Sequence, residues 1–452
     1  MFKRLLIKVL ALSLVVAFSV QSATASDPNW REKQEARFEQ TGLTPGDIIT
    51  KENWNKVDGL IPPEMLEWVK KSYIEMKIGE LKHDVTADDV WMKKSAENVG
   101  KYKLNDKNNL VETATGEPPL WVDGIPFPDI DTKNDPGAAT KYAYNRTVSL
   151  HRMGSFKEEV SLTWIGRGGF ERRLETTLYQ YAFWARPGGP IENPAGHRYR
   201  DIVAASEPYH LAGINQLTFR KLDASDDEVY VYVPAIRRVK KMSGANRSDP
   251  YMGCDACVDD LDGFGGTTTS MKWKFVEEKL GLLCLTEWDS KNINNMKQRA
   301  DGTWLAQPGI PGKMTVGFEV KNEKVAKWAP VDVVWTPRIF YVLEVMPVDP
   351  YYNAGKTLFW IDRDTYWINF KITCNRAGEY WKTVIYVPRC YEWAGMKGVQ
   401  TGGVGYLIVD EKTNHATLVD ASFAGGVSKT EFGNPRINPN MFTVENLRMV
   451  SK

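Results

Sequence analysis

Histidine is scarce in this 452-residue chain, and cysteine equally so, with five of each. His83, His151, His197, His210 and His415 form no HExxH or other close pair, so no histidine-based zinc site is displayed. No GxSxG elbow and no Walker A loop occur, and Gly263-Phe264-Gly265-Gly266 falls short of the dinucleotide fingerprint. An excess of one charge is also missing: Lys and Arg number 58 and Asp and Glu 57, a formal net charge of +1. No bulk basic surplus exists to displace counterions from a polyanion, so nucleic acid is not an expected partner. Nothing in the sequence calls for a cofactor or a metal. Asp255, Asp259, Asp260 and Asp262 suggest calcium, but an EF-hand loop here would need an acid at Val258 and Glu at Thr269. A solvated acidic loop is the expectation instead.

Long apolar runs are missing too, except near the start. Lys3, Arg4 and Lys8 precede the run Val9 to Val20, and Ala23-Thr24-Ala25 follows. That order is a cleaved secretory signal peptide, residues 1–25, and its apolar part is too short to span a bilayer as a helix. The expected location is the periplasm, as a soluble exported protein. Cys254, Cys257, Cys284, Cys374 and Cys390 are odd in number, so one stays unpaired in a monomer. In an oxidising compartment one or two structural disulfides are expected, drawn from Cys254, Cys257, Cys374 and Cys390. Cys254-Asp-Ala-Cys257 also has redox spacing, but no strand-to-helix unit precedes it and Val258 stands where haem attachment needs His.

What is abundant is aromatic and β-branched sequence. The chain is 42% hydrophobic and 12% aromatic, with 16 Trp, 19 Tyr and 17 Phe, which describes a folded protein with a large core. Residues 26–135 read as helical and loop-rich: Pro62-Pro63 starts a helix whose stripe is Leu66, Val69, Tyr73 and Met76. Asn134-Asp135-Pro136-Gly137 marks a turn and a boundary. From 136 to 452 the period is two. Val229, Val231 and Val233 alternate with Tyr230 and Tyr232; 357–361, 366–374 and 379–387 form a meander broken by tight turns. Further strands are expected at 143–153, 157–165, 170–186, 213–221, 271–277, 314–321 and 338–346. The fold class is mainly β (α+β), a large curved antiparallel sheet or incomplete barrel with a helical lid.

The sharpest local signal is 228–263, where a strand runs into Arg237-Arg238-Val-Lys240-Lys241 and then a carboxylate-bearing loop. Arg237, Arg238 and Arg247 either pair with Asp249, Asp255, Asp259 or Asp260 to lock that loop, or meet an anionic head group or partner at the sheet rim. The text YVPAIRRVKKMSGANRSDPYMGCD…DDLDGF resembles the signature of the family called domain of unknown function 1329. LIPPEMLEWVKKSYIEMKIGEL, GIPFPDIDTKNDPGAATKYAYN and YVLEVMPVDPYYNAGKTLFWIDRDTYWINFKI resemble it as well, so the resemblance covers most of the mature chain. The family has no established catalytic residues, and its members usually lack Cys at the position of Cys254. The resemblance implies a half-barrel similar to the periplasmic lipoprotein carriers, with a cavity for acyl chains. It also implies service beside an efflux-type inner-membrane transporter and an outer-membrane barrel.

The resulting expectation is a non-enzymatic periplasmic carrier or binding protein for a hydrophobic small molecule or lipid. Its walls would be Tyr230, Tyr232, Trp360, Tyr366, Ile368, Phe370 and Tyr386, and its rim Arg237, Arg238 and Arg247. The alternatives are an envelope adaptor without ligand and a thiol redox enzyme using the CxxC.

Overall fold

In the computed structural model, described from 27 to 450 except 86, 153, 187, 224, 244–246, 307–310, 312, 322–323, 394–399 and 422–428, thirteen strands of five residues or more build one antiparallel sheet. The expected signal peptide, residues 1–25, lies outside the described residues. The first six strands are β1 (Phe156–Gly166), β2 (Gly169–Ala182), β3 (His197–Glu207), β4 (Asn215–Lys221), β5 (Glu228–Val233) and β6 (Arg238–Met242). They form one meander. The second meander is β7 (Met271–Thr286), β8 (Val333–Pro347), β9 (Ala354–Asp362), β10 (Ile368–Asn375), β11 (Tyr380–Glu392), β12 (Gln400–Asp410) and β13 (His415–Asp420). The two meet where β13 pairs with β1, Ala416 opposite Ile165 and Asp420 opposite Ser161. The sheet order is therefore β7 to β13, then β1 to β6. No ladder among the described residues joins β6 to β7, so the barrel is incomplete.

Alternation gives the sheet two faces. On the outer face Phe340, Val342, Trp360, Phe370, Ile385, Leu407 and Leu418 are buried against α2 (Pro63–Lys70) and neighbouring N-terminal residues such as Ile49, Ile61, Trp68 and Met76. The inner face carries Leu162, Trp164, Leu343, Val345, Phe359, Val384, Tyr406 and Val419. Its cover comes from two pieces. One is α4 (Ala138–His151), whose Tyr142 stacks on Tyr341 at 4.2 Å. The other is the segment from 247 to 270, which joins edge β6 to edge β7 by crossing the inner face. The helical lid is thus α4, while the N-terminal α1 (Trp30–Thr41) and α2 back the outer face and α3 (Asp89–Ala96) packs beside α4.

Several sequence expectations change. Residues 143–153 are not a strand: nearly every position from 138 to 148 is buried, so the helix shows no stripe to read. The helix at Pro63 stops at Lys70, and Tyr73 and Met76 lie beyond it, Met76 in a two-residue strand. Residues 314–321 hold only a 3-10 turn at Gly317–Glu319. Strands β3, β6, β12 and β13 were not anticipated. All five cysteines are free thiols, which corrects the expected disulfides. Cys374 faces Tyr380 across the β10–β11 ladder, ten residues from Cys390 and about 33 Å away along an extended strand. No helix among the described residues is long and apolar enough to cross a membrane.

Candidate functional site

The crossing segment is pinned by polar contacts at Arg247, Asp255, Asp259 and Asp260. Arg247 donates from Nε to Asp259 at 2.7 Å and also binds Asp227, which accepts Arg220 Nη2 at 2.9 Å. Lys371, on β10, reaches up to Asp260 at 2.6 Å and to the Asp259 carbonyl at 3.2 Å. Tyr386 donates to the Asp260 carbonyl at 2.7 Å, and Tyr352 to Asp259 Oδ2 at 2.9 Å. Asp255 accepts Thr417 Oγ1 at 2.6 Å and meets His415 Nδ1 at 2.7 Å. Gly263 turns at φ +88, and a Cβ there would stand 3.2 Å from Ile368 Cδ1, so the chain lies directly on the sheet. Asp259 and Asp260 are 2% and 7% exposed, so the expected solvated loop is instead a buried, charge-paired plug. The reading in which Arg247 locks the loop holds, with Asp227 as an additional partner.

Over most of the second meander this plug lies in contact with the inner face. Over the first it leaves a groove with two adjoining compartments. The deep one, about 160 Å³, lies between β1–β4, the end of α4 and residues 251–266, and is closed on the other side by Trp367, Tyr386, Tyr406, Val419 and Asp420. The outer one, about 520 Å³, extends along Val229, Val231 and Val233 to Lys240 and Met242 of edge β6. They share Thr176, Val203, Gln216, Thr218, Asp227, Tyr251 and Val258. Cavities for small organic ligands run from about 300 to 1,000 Å³. The deep compartment alone is below that size, and the two together span it. Its walls are mixed: Val160, Leu162, Leu178 and Phe264 stand beside Glu158, Asp201 and Asp262. Burial pushes the Glu158 and Asp201 carboxyls up to about 7 each.

Of the anticipated wall residues, only Tyr386 lines this groove. Ile368 is on the inner face beneath Gly263. Trp360 and Phe370 pack on the outer face, their rings 6.0 Å apart. The cause is a β-bulge: Trp360 pairs with Phe370 but Ile361 with Ile368, so Asn369 is an extra residue and reverses the alternation. Tyr366, at φ +58, sits in the turn before β10 beside a polar cavity of about 400 Å³. The arginines of that cavity are already paired, Arg37 with Asp364 at 3.2 Å and Arg338 with Asp362 at 2.7 Å. Tyr230 and Tyr232 point outward, under Ile437, Phe442 and Leu447 of the C-terminal segment. Arg237 and Arg238 are exposed at the β5–β6 hairpin, away from the groove. The residues missed are Glu158, Val203, Asp201, Thr218 and the valines of β5. The signal for the last was present: small side chains leave space on their face, and large aromatics consume it.

The cysteines offer no activated thiol. Burial raises Cys254 to about 12, and lifts Cys257, Cys284 and Cys390 well above the usual thiol range. Among the described residues no group of three or more His, Cys, Asp or Glu could hold a metal ion.

The site is thus a groove beneath a segment that crosses the inner face of an incomplete antiparallel barrel. The chain belongs to the family described as "Protein of unknown function (DUF1329)", whose profile matches residues 48–448. Solved structures similar to it include an outer membrane lipoprotein-sorting protein domain from Vibrio parahaemolyticus, at 14% identity and TM-score 0.47, covering 70% of this chain and all of that one. A DUF1329 family protein from Desulfovibrio piger ATCC 29098 is similar at 13% identity and TM-score 0.45, again over 70% of this chain and all of that one. A LolA superfamily protein from Nitrosomonas europaea follows at 11% and 0.40, over 68% of this chain and 98% of that one. No curated protein matches this chain at a significant level.

Proposed function

We propose that this protein is a soluble periplasmic carrier or binding protein for a hydrophobic ligand. The observation that carries the reading is the two-compartment groove, lined by aliphatic and aromatic side chains among a few acids and open at edge β6. A space that the chain's own residues leave unfilled beside a plug that fills the rest of the face is what a ligand site requires. Buried apolar area would supply affinity at about 25 cal/mol per Å². The reading is non-enzymatic, and the raised thiol pKa values speak against the redox alternative. In this role the protein would hand cargo between an inner-membrane transporter of the efflux type and an outer-membrane barrel. A diacyl lipid exceeds the groove as it stands, so single-chain or compact ligands fit best.

The test is native mass spectrometry of the mature protein expressed in a periplasm, followed by organic extraction. A stoichiometric co-purifying hydrophobic molecule is the expected result. A ligand-free protein that also rejects added single-chain amphiphiles would replace the carrier with the envelope adaptor.

A further inference from the structure

The basic stretch at 237–241 takes no part in lining the groove except through Lys240. Between Glu228 and Asp249 the chain has no acidic residue, while Arg237, Arg238, Lys240 and Lys241 follow one another closely. Lys241 reaches Glu228 only at 3.9 Å, and Arg237, Arg238 and Lys240 form no ion pair among the described residues. All four side chains stand in water.

Two hairpin tips bring apolar side chains beside these cations. Pairing of Asn215 with Tyr232 sets the β3–β4 turn next to the β5–β6 turn, so closely that a Cβ on Gly213 would stand 3.1 Å from Pro234 Cγ. Tyr209, in the first turn, is 93% exposed, and Ile236, in the second, 47%. Met242, at the far end of β6, is half exposed and lines the outer compartment.

Edge strands carry lysines to discourage pairing with other chains, which accounts for Lys240 and Lys241. It does not account for Arg237 in the turn, nor for a tyrosine and an isoleucine left in water at adjacent tips. Exposed apolar groups rimmed by charge of one sign mark a surface that meets something. Protein interfaces are depleted in lysine, whereas lysine, arginine and tyrosine together settle at the head groups of an anionic bilayer.

We infer that the two tips and edge β6 dock this protein on an anionic phospholipid surface. Arg237, Arg238 and Lys240 meet the phosphates, Tyr209 and Ile236 enter the head-group layer, and the mouth of the groove at β6 is brought to the bilayer. This surface goes beyond the carrier reading and does not depend on it.

The test is co-sedimentation of the mature protein with vesicles of phosphatidylcholine and phosphatidylglycerol in equal parts, and with vesicles of phosphatidylcholine alone. Partition onto the anionic vesicles at low salt is expected to be stronger by about tenfold or more, each basic side chain near such a surface contributing roughly fivefold. Most of it should be lost at about 0.5 M sodium chloride, where charge is screened within a few ångströms. Arg237→Gln/Arg238→Gln should weaken it about twentyfold, and Tyr209→Ser/Ile236→Ser should remove what persists at high salt. An unchanged melting temperature checks the fold of each variant, since all four side chains are exposed. Equal partition onto both vesicles, or partition unaltered in the arginine variant, overturns the inference. No partition onto either, with capture on immobilised polyglutamate that the arginine variant loses, assigns the tips to an acidic protein and overturns the bilayer. A protein that partitions as expected but carries no hydrophobic ligand by mass spectrometry loses the carrier reading and keeps this surface.

Discussion

The two halves of the inner face share a backbone plan and differ in what lies on them. Above β8 to β13 the plug sits in contact with the sheet, bolted by Lys371 to Asp260 and by Tyr386 to the Asp260 carbonyl. Above β1 to β5 the same segment stands off, and the facing side chains mix valines and leucines with threonines, glutamines, arginines and acids. The filled half spends its polar groups on holding the chain to itself. In the hollow half Glu158 and Asp201 form no ion pair among the described residues and keep only hydrogen bonds from Thr430 and Thr218.

The comparison breaks most directly at Lys371. Its side chain and that of Asp260 are 5% and 10% exposed, so Lys371→Met leaves a buried carboxylate without its cation. Loss of about 3–5 kcal/mol in denaturant unfolding is expected, because the survivor of a broken buried pair is destabilising. An unchanged midpoint would show the plug to be loosely held. Filling the hollow half should do the reverse. Val203→Trp is expected to weaken ligand binding more than tenfold while changing stability by under about 2 kcal/mol, since the added volume enters space already empty. A stability loss as large as that of Lys371→Met would mean that the groove is ordinary packed core.

The acids sharpen the contrast through pH. Glu158 and Asp201 are pushed up to about 7 and Asp420 to about 8, all by burial. The folded state then holds protons that the unfolded chain releases near pH 4, so stability falls as pH rises from about 4 through 7. His197, pushed down to about 4 by burial, opposes this below pH 6.5, one group against three. The melting temperature should be higher at pH 5.5 than at pH 8, and Asp201→Asn should shrink the difference. A flat profile would place these carboxyls in contact with solvent. The smallest effect belongs to the thiols. With Cys254, Cys284 and Cys390 buried, folded protein should react with an aromatic disulfide reagent at pH 8 at far fewer than five sites, and Cys254→Ser should leave ligand binding unchanged.

Regular alternation made the β9 to β11 meander legible from sequence, as did the turns Asp362-Arg363-Asp364 and Asn375-Arg376-Ala377-Gly378. The helix α4 was not, because a helix buried on all sides carries no stripe. Strand β3 hid behind Arg198, Arg200 and Asp201, charges that read as surface and are half or fully buried. The faces were misjudged beyond Asn369, since one extra residue inverts every side chain after it and leaves no trace in composition. The site was sought among large aromatics, which are the residues that close space. Only the plug's ion pairing at Arg247 and Asp259 was anticipated among the polar contacts; Asp227, 20 residues before Arg247, carried no local pattern tying it to them.

The pairing of β13 with β1 sets the order in which this molecule can be made. Each meander is built from neighbours in sequence, but the ladder that unites them joins residues roughly 250 positions apart, Ala416 to Ile165. Contacts so distant in the chain form late and slowly. Until they do, strands β1 and β13 are two bare edges in one nascent polypeptide, each open to pairing with a second copy, and the segment between the meanders has no complete surface to dock on. The last event of folding is therefore also the one that creates the groove. In a chain that emerges N-terminus first, the groove would be complete only once β13, at residues 415–420, had followed.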